Sequence, residues 1–373
     1  MGRSAPLVLM VVLAVSLVAC APAAVPTPMP TAKPAAATPT SKPAAVATPV
    51  PPKPTVQPVK LKVGSLGGLS DAGNFIADKK GYFREQGIEV EFVKFNSGAQ
   101  QIAPMGTGEL DVGRGAITAG LFNAILRGID IKIVADANTT YPTRVEKDSN
   151  VIVVRKDLAD QIKTEKDLKG RNIGRTGAGT VTEVELYRLL EKGGLTVQDV
   201  NLQFMGMPDG VAALGGKSID AYVSLTEPSL TQALERGVAV YWKGYSEIYP
   251  NHTIAILMYP PKFTKERPEA ARNYAVAYLR GVRDYYDAFF KNKNKKDIVA
   301  ILTEMTDVKD PALYDKMAAQ YMNPDGYVNS QTVASDAAWF FQSKQIEREV
   351  DTSKVLDNSF VDYAIQKLGK YTP

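Results

Sequence analysis

The chain has 373 residues, 45% of them hydrophobic and 23% charged, with a net charge of +4. That length suits two or three globular units at roughly 150 residues each, and the small charge excludes a nucleic-acid footprint without a clustered basic face, which the sequence lacks. One cysteine (Cys20) and one histidine (His252) exclude an internal disulfide framework, a cysteine metal cluster and the usual two- or three-histidine metal sites.

At the N-terminus, residues 1–20 combine Arg3, an apolar run from Leu7 to Val18 and small residues before Cys20. This is the pattern of a secretory signal, too short for a stable membrane span. Its ending, Leu17-Val18-Ala19-Cys20, resembles a bacterial lipobox, which implies that Cys20 is lipidated and holds the mature protein on a membrane surface. Residues 21–58 are almost entirely Pro, Ala, Thr, Val and Lys. Such a segment cannot bury a core and reads as an extended, disordered tether.

The folded part opens with a strand over Lys60–Val63, a Gly/Ser turn over Gly64–Ser70 and an amphipathic helix over Asp71–Lys80. A strand over Ile88–Phe95, a helix ending at Gly108 and a strand over Leu110–Gly113 complete a β-α-β-α-β run, the grammar of an open sheet with helices on its faces. A helix over Ile117–Arg127 and a strand over Ile131–Val134 follow, then the polar segment Asp136–Pro142 and the apolar strand Val151–Arg155. The same order restarts at Lys166. It runs through a strand at Asn172–Gly174, the turn Thr176–Thr180, a helix over Val181–Lys192, strands over Val200–Phe204 and Ser218–Val223, and a helix ending at Gly237. Two similar α/β lobes are therefore expected. The Thr253–Tyr259 strand reads as the return crossing, paired with the Val151–Arg155 crossing, and two crossings make a hinge. Helices are expected over residues 267–291, 296–306, 311–321, 331–342 and 359–368. Tyr274, Tyr278, Tyr285, Tyr286 and Phe289 form an aromatic stripe suited to packing. The run Lys291–Lys296 reads as a solvated loop, with a lipid-facing basic patch as the sharper alternative.

Open α/β sheets bind ligands at the carboxyl ends of their strands. That rule selects Asn74 and Phe75 at the first helix, Asn96 and Ser97 after the second strand, Arg114 and Ala116 after the third, and Asn138 and Tyr141 after the fourth. In the second lobe it selects Thr176, Gly177, Gly179 and Thr180, where a helix N-terminus and hydroxyls suit a polar or anionic group. Glu227 lies on the far side. Trp242 and Tyr245 precede the return crossing, where Trp242 either stacks on a flat ligand or packs in a core. His252 reads as a loop residue near the hinge. With no nucleophile–base pair, no catalytic residue and no cofactor is assigned.

Two patterns, Ala77-x-x-Lys80-Gly81-Tyr82-Phe83 with Gly87, and Gly108-Glu109-Leu110-Asp111-Val112-Gly113, resemble the substrate-binding proteins of bacterial ABC importers, in the NMT1/THI5 branch. Asp167-Leu168-Lys169-Gly170, Gly194-Leu195, Asp199-Val200, Asp220-Ala221 and Glu227-Pro228 extend the resemblance over about Lys60–Gly237. It implies a two-lobed α/β periplasmic-binding-protein fold (type II-like) with a hinge and C-terminal helices. Lobe 1 would comprise 59–153 and 253–373, and lobe 2 would comprise 154–252. It further implies a C-terminal tail packed on the first lobe, a Glu227 facing the cleft, and a non-enzymatic, monomeric receptor that docks on an ABC permease and its ATPase. The cysteine-rich motif of the THI5 pyrimidine synthases is missing, which argues against that activity. The mix of aromatics, amides and one carboxylate favours a vitamin-like heterocycle such as riboflavin. The alternatives are a thiamine pyrimidine precursor, or an alkanesulfonate- or nitrate-type anion held by Arg114, Arg144 or Arg175 with the Thr176–Thr180 helix end. A cell-surface enzyme would need the missing nucleophile–base pair, and a structural envelope protein would show no closure on a small molecule.

Overall fold

In the computed structural model, residues 57–143 and 145–372 are described; Cys20, the signal, the tether up to residue 56 and Arg144 lie outside them. Ten strands form: β1 (Val59–Ser65), β2 (Ile88–Lys94), β3 (Gly113–Ala116), β4 (Lys132–Thr139), β5 (Asn150–Arg155), β6 (Asn172–Arg175), β7 (Asn201–Phe204), β8 (Ala221–Thr226), β9 (Ala239–Gly244) and β10 (Thr253–Tyr259).

They make two lobes of one plan. In the first, β1 and β2 pair in parallel, and β10 lies antiparallel between β3 and β4. Val63 bridges to Val112, just ahead of β3, and the Gly64 amide donates to the Val112 carbonyl at 2.8 Å. The spatial order is thus β2-β1-β3-β10-β4. The second lobe is ordered β7-β6-β8-β5-β9, with β5 antiparallel to both neighbours. In each lobe the strand that arrives from the other lobe is the antiparallel insert. The repeated strand–helix order read from the sequence is this repeated topology.

Several expectations are corrected. β5 and β10 do not pair with each other: each lies wholly within one sheet, and the crossings are the segments before them. These segments run side by side. The Thr140 amide donates to the His252 carbonyl at 2.9 Å and the Asn251 amide to the Tyr141 carbonyl at 3.1 Å. Asp136–Thr139, expected as loop, continues β4, because burial on both faces favours full backbone pairing there. Ala239–Gly244, which contains Trp242, is an edge strand rather than hinge. The helix expected over 311–321 is helical only at Leu313–Lys316. Beyond it the chain is extended, because its backbone groups serve β4: the Thr139 amide donates to the Tyr321 carbonyl, and the Asp136 amide to the Gly326 carbonyl.

The first lobe's core centres on helix Pro268–Phe290, whose Tyr274, Tyr278 and Tyr285 are fully buried. Their hydroxyls are satisfied, Tyr274 donating to Asn74 and Tyr278 to the Asp136 carbonyl, which is what burial of a phenol requires. The C-terminal tail packs on both lobes rather than on the first alone. Val333, Ala337 and Phe340 of helix Ser330–Gln342 share one apolar cluster with Leu121 and Phe122 of the first lobe and Val181 and Val184 of the second. The basic run is neutralised locally: Lys291 and Lys293 pair with Asp287, and Lys295 with Asp315. Among the described residues, no helix is long and apolar enough to cross a membrane.

Candidate ligand-binding cleft

The carboxyl ends of the parallel strands of both lobes meet at one seam. On the first lobe, buried Asp71 organises the loop after β1. One carboxylate oxygen accepts from the Ser65 hydroxyl (3.0 Å) and the Leu66 and Gly67 amides (2.9 and 2.8 Å). The other faces the Arg114 Nε at 3.3 Å. Arg114 is 3% exposed, and its Nη2 has no hydrogen-bond partner among the described residues. The fully buried Gln101 amide grips the backbone of Arg114, donating to its carbonyl (2.7 Å) and accepting from its amide (2.8 Å). Beside it, a β-carbon on Gly115 would lie 2.8 Å from the Gly98 Cα. The glycines of these two strand ends therefore serve close backbone approach, as well as any ligand.

On the second lobe, buried Arg175 donates from Nε to the Thr176 carbonyl (3.1 Å) and from Nη2 to the Gly177 carbonyl (2.9 Å). Its charge is further met by Glu183, 3.4 Å away. Glu183 also accepts from the Gly179 amide at 2.8 Å, so a carboxylate already takes one amide of the turn that leads into the helix Val181–Lys192. The lobes touch directly here: the Ala119 amide donates to the Gly179 carbonyl (2.9 Å) and the Val181 amide to the Ile117 carbonyl (3.3 Å).

The remaining candidates divide into two groups. Asn74, Phe75 and Tyr245 are buried. Asn74 accepts from Tyr274, Phe75 packs edge-on against Phe92, and Tyr245 lies in the second lobe's core. Trp242 packs half-buried on that same core with the Lys243 amine 5.2 Å from its ring centre. Tyr141 donates to the Ala319 carbonyl at 2.5 Å and packs against Tyr321. Both Glu227 oxygens accept from backbone amides, those of Ala318 and Thr231, each at 3.0 Å. Glu227 therefore holds the tail across to the second lobe; burial raises its pKa above the ordinary carboxyl value. The second group stays accessible at the seam: Asn96 and Ser97 are exposed, Ala116, Thr176, Gly179 and Thr180 are half-buried, and Gly177 is exposed. Asn138 is buried at the end of β4.

Phe204, not among the candidates because it reads as strand body, closes β7 at the same seam. It is 59% exposed, pairs in register with Arg175, and carries the Arg175 guanidinium 5.3 Å from its ring centre. The strand-end rule finds it once β7 is known to stop there.

The chain is 25% identical over 324 residues to a putative aliphatic sulfonates-binding protein of Bacillus subtilis, covering 83% of this chain and 89% of the relative. It is 24% identical over 343 residues to the riboflavin-binding protein RibY of Chloroflexus aurantiacus, covering 88% and 93%. The fold matches the periplasmic aliphatic sulphonate-binding protein SsuA of Escherichia coli with a TM-score of 0.64 at 19% identity, over 80% of this chain and 97% of that one. The model of the NMT1-like family matches residues 54–303, about two thirds of the sequence, and the chain belongs to that family.

Proposed function

We propose that this protein is the solute-binding component of an ABC importer. It would be held outside the cytoplasm by lipidated Cys20 on its tether, and would deliver a small molecule to a permease and its ATPase without chemistry of its own. The observation that carries this reading is the seam itself, where the strand ends of two lobes of one topology meet by direct hydrogen bonds between Thr118 and Thr180 neighbours. Two crossings flank it, a geometry suited to hinge closure. We divide the lobes at these crossings, 59–149 with 253–372 against 150–252.

For the solute we favour a neutral, flat heterocycle of the riboflavin kind over a sulfonate or nitrate. Glu183 already takes the Gly179 amide of the turn that an anion would use, and Arg175 already donates to two carbonyls and faces that carboxylate, which leaves one of its buried nitrogens, Nη1, without a hydrogen-bond partner among the described residues. Phe204 offers an exposed ring at the same seam, and ring stacking contributes about 0.5–1.5 kcal/mol. The relatives named for sulfonates and for riboflavin keep both chemistries in view.

The test is a UV–visible spectrum with native mass of the protein purified gently from rich medium, followed by titration with riboflavin and with an alkanesulfonate. Flavin absorbance and one added flavin mass are expected, with Phe204→Ala weakening binding by about tenfold. Binding of the sulfonate alone, weakened by salt and indifferent to Phe204→Ala, would reverse the choice. Cys20→Ser is expected to move the protein from the membrane to the soluble fraction, which cell fractionation reads directly.

A further inference from the structure

His252, the chain's one histidine, lies in the crossing segment as expected, but buried. It ends the second crossing, and it, Glu185 and Asp336 are each 0% exposed. Its Nδ1 lies 3.2 Å from a Glu185 oxygen, and its Nε2 lies 2.8 Å from an Asp336 oxygen. Glu185 belongs to helix Val181–Lys192 of the second lobe, and Asp336 to helix Ser330–Gln342 of the tail. The imidazole thus joins the hinge, one lobe and the tail.

A neutral imidazole donates from one nitrogen only; both nitrogens donate only in the imidazolium. With two carboxylates facing the two ring nitrogens, the cluster is satisfied when it holds one proton more than a neutral ring between two anions. The surroundings reinforce this. Asn150 donates to both Glu185 oxygens (3.0 and 3.2 Å) and Ser224 to one (2.7 Å). Ser224 takes a left-handed backbone, φ 60°, in the middle of β8, a strained conformation for a residue with a side chain. On the tail side, Tyr249 donates to Asp336 (3.2 Å) and stacks on the His252 ring at 4.2 Å. The Arg188 guanidinium sits 5.7 Å from the Tyr249 ring centre. Asp148, ahead of β5, adds a further carboxyl whose field reaches Glu185, and Tyr245 lies within reach of both.

We propose that His252 is a proton-operated latch: its imidazolium pins the second lobe to the C-terminal tail through Glu185 and Asp336, and loss of that proton releases the two carboxylates from each other. Any effect on solute release rests on the receptor reading above; the latch itself does not. Burial alone would depress the His252 pKa, but Asp336 and Glu185 outweigh it and raise it to about 9, while burial raises that of Asp336. A pKa raised on folding means that the latch is whole below the ordinary histidine value and is lost as pH rises through about 9.

The sequence supplies two reporters. A single histidine gives one Cε1–H resonance in the proton NMR spectrum. Trp339 of the tail helix meets Tyr187 of the second lobe edge-on at 5.3 Å, so its fluorescence follows tail docking once Trp242→Phe has removed the other tryptophan. In solute-free protein, the resonance and the Trp339 emission should titrate together between pH 6 and 10. Asp336→Asn should lower both midpoints by at least one pH unit, and His252→Gln should hold the emission at its high-pH value throughout. Trp339 emission that stays constant while the His252 resonance titrates would overturn the latch, as would a His252→Gln protein that keeps the low-pH emission. If His252→Gln does not fold, the two titrations of the parent protein still decide. None of these readings depends on a solute, so failure here leaves the proposed transport role untouched.

Discussion

Gly281→Ala is expected to destabilise the protein by about 3 kcal/mol, the upper end of ordinary overpacking costs. Helix Pro268–Phe290 crosses helix Ala72–Lys79 at this point, and a β-carbon on Gly281 would stand 2.0 Å from the Gly73 carbonyl oxygen and 3.0 Å from the Ala77 amide. These are backbone atoms of a helix and cannot rotate away, so the helices must separate. From the other side Gly73 is also tight, though against side chains, its β-carbon meeting Tyr278 and Val282 at 2.7 Å. The damage should spread to the cleft, because Asp71 immediately precedes helix Ala72–Lys79 and holds the loop after β1. Thermal unfolding followed by circular dichroism should show a fall in Tm of roughly 6–12 °C. Gly120→Ala is the control: it is helical, exposed and meets nothing closer than 3.7 Å, so it should be neutral or slightly stabilising. Equal Tm values for the two variants would refute the packing account.

Arg114→Met should be comparably severe, at about 3–5 kcal/mol, the usual cost of removing one partner from a buried ion pair. The substitution keeps most of the volume but leaves Asp71, 0% exposed, without its cation. Adding Asp71→Asn should restore much of the loss. The amide oxygen can still accept from Ser65, Leu66 and Gly67, and no uncompensated charge remains. Chemical denaturation of the parent, both single variants and the double variant gives the coupling energy directly. Near-additive losses would mean that the pair is not coupled. This bears on the solute as well. A stability loss at Arg114 is expected whatever is bound, so the anion reading must be judged by the salt dependence of binding in protein that is still folded.

Much of the architecture was legible because hydrophobic periodicity and glycine stops are local signals. Val181–Lys192, Thr253–Tyr259 and Ser359–Leu368 have the bounds read from sequence, since the two helices each bury one periodic face and the strand is a continuous apolar run buried on both faces. The repeated strand–helix order was visible for the same reason, and so was the family. Ala239–Gly244 was not, because an edge strand of half-buried Val240, Tyr241 and Trp242 carries weak alternation and beside a crossing looks like hinge. The stretch after Lys316 was misread as helix, because its backbone partners lie in β4, some 180 residues earlier in the chain.

The site was less legible than the fold. Strand ends can be counted along a chain, so Asn96, Ser97, Ala116 and the Thr176–Thr180 turn came from sequence, and each stands at or just beyond the end of its strand. Whether a residue near a strand end points to the seam or into the core depends on what packs over it. Asn74 went to Tyr274, Phe75 to Phe92, and Glu227 to the amides of Ala318 and Thr231. By itself, then, the sequence determined the class of fold, the repeat of two lobes and the family, because these follow from periodicity and short motifs. Only the tertiary structure decided that Glu183 meets the Gly179 amide and Arg175, that Phe204 is exposed beside Arg175, and that His252 lies between Glu185 and Asp336. Those facts depend on residues 4 to 84 positions apart being brought together by packing, and for His252, Glu185 and Asp336 in a low-dielectric interior where charge pairing, not local pattern, sets what each group can do.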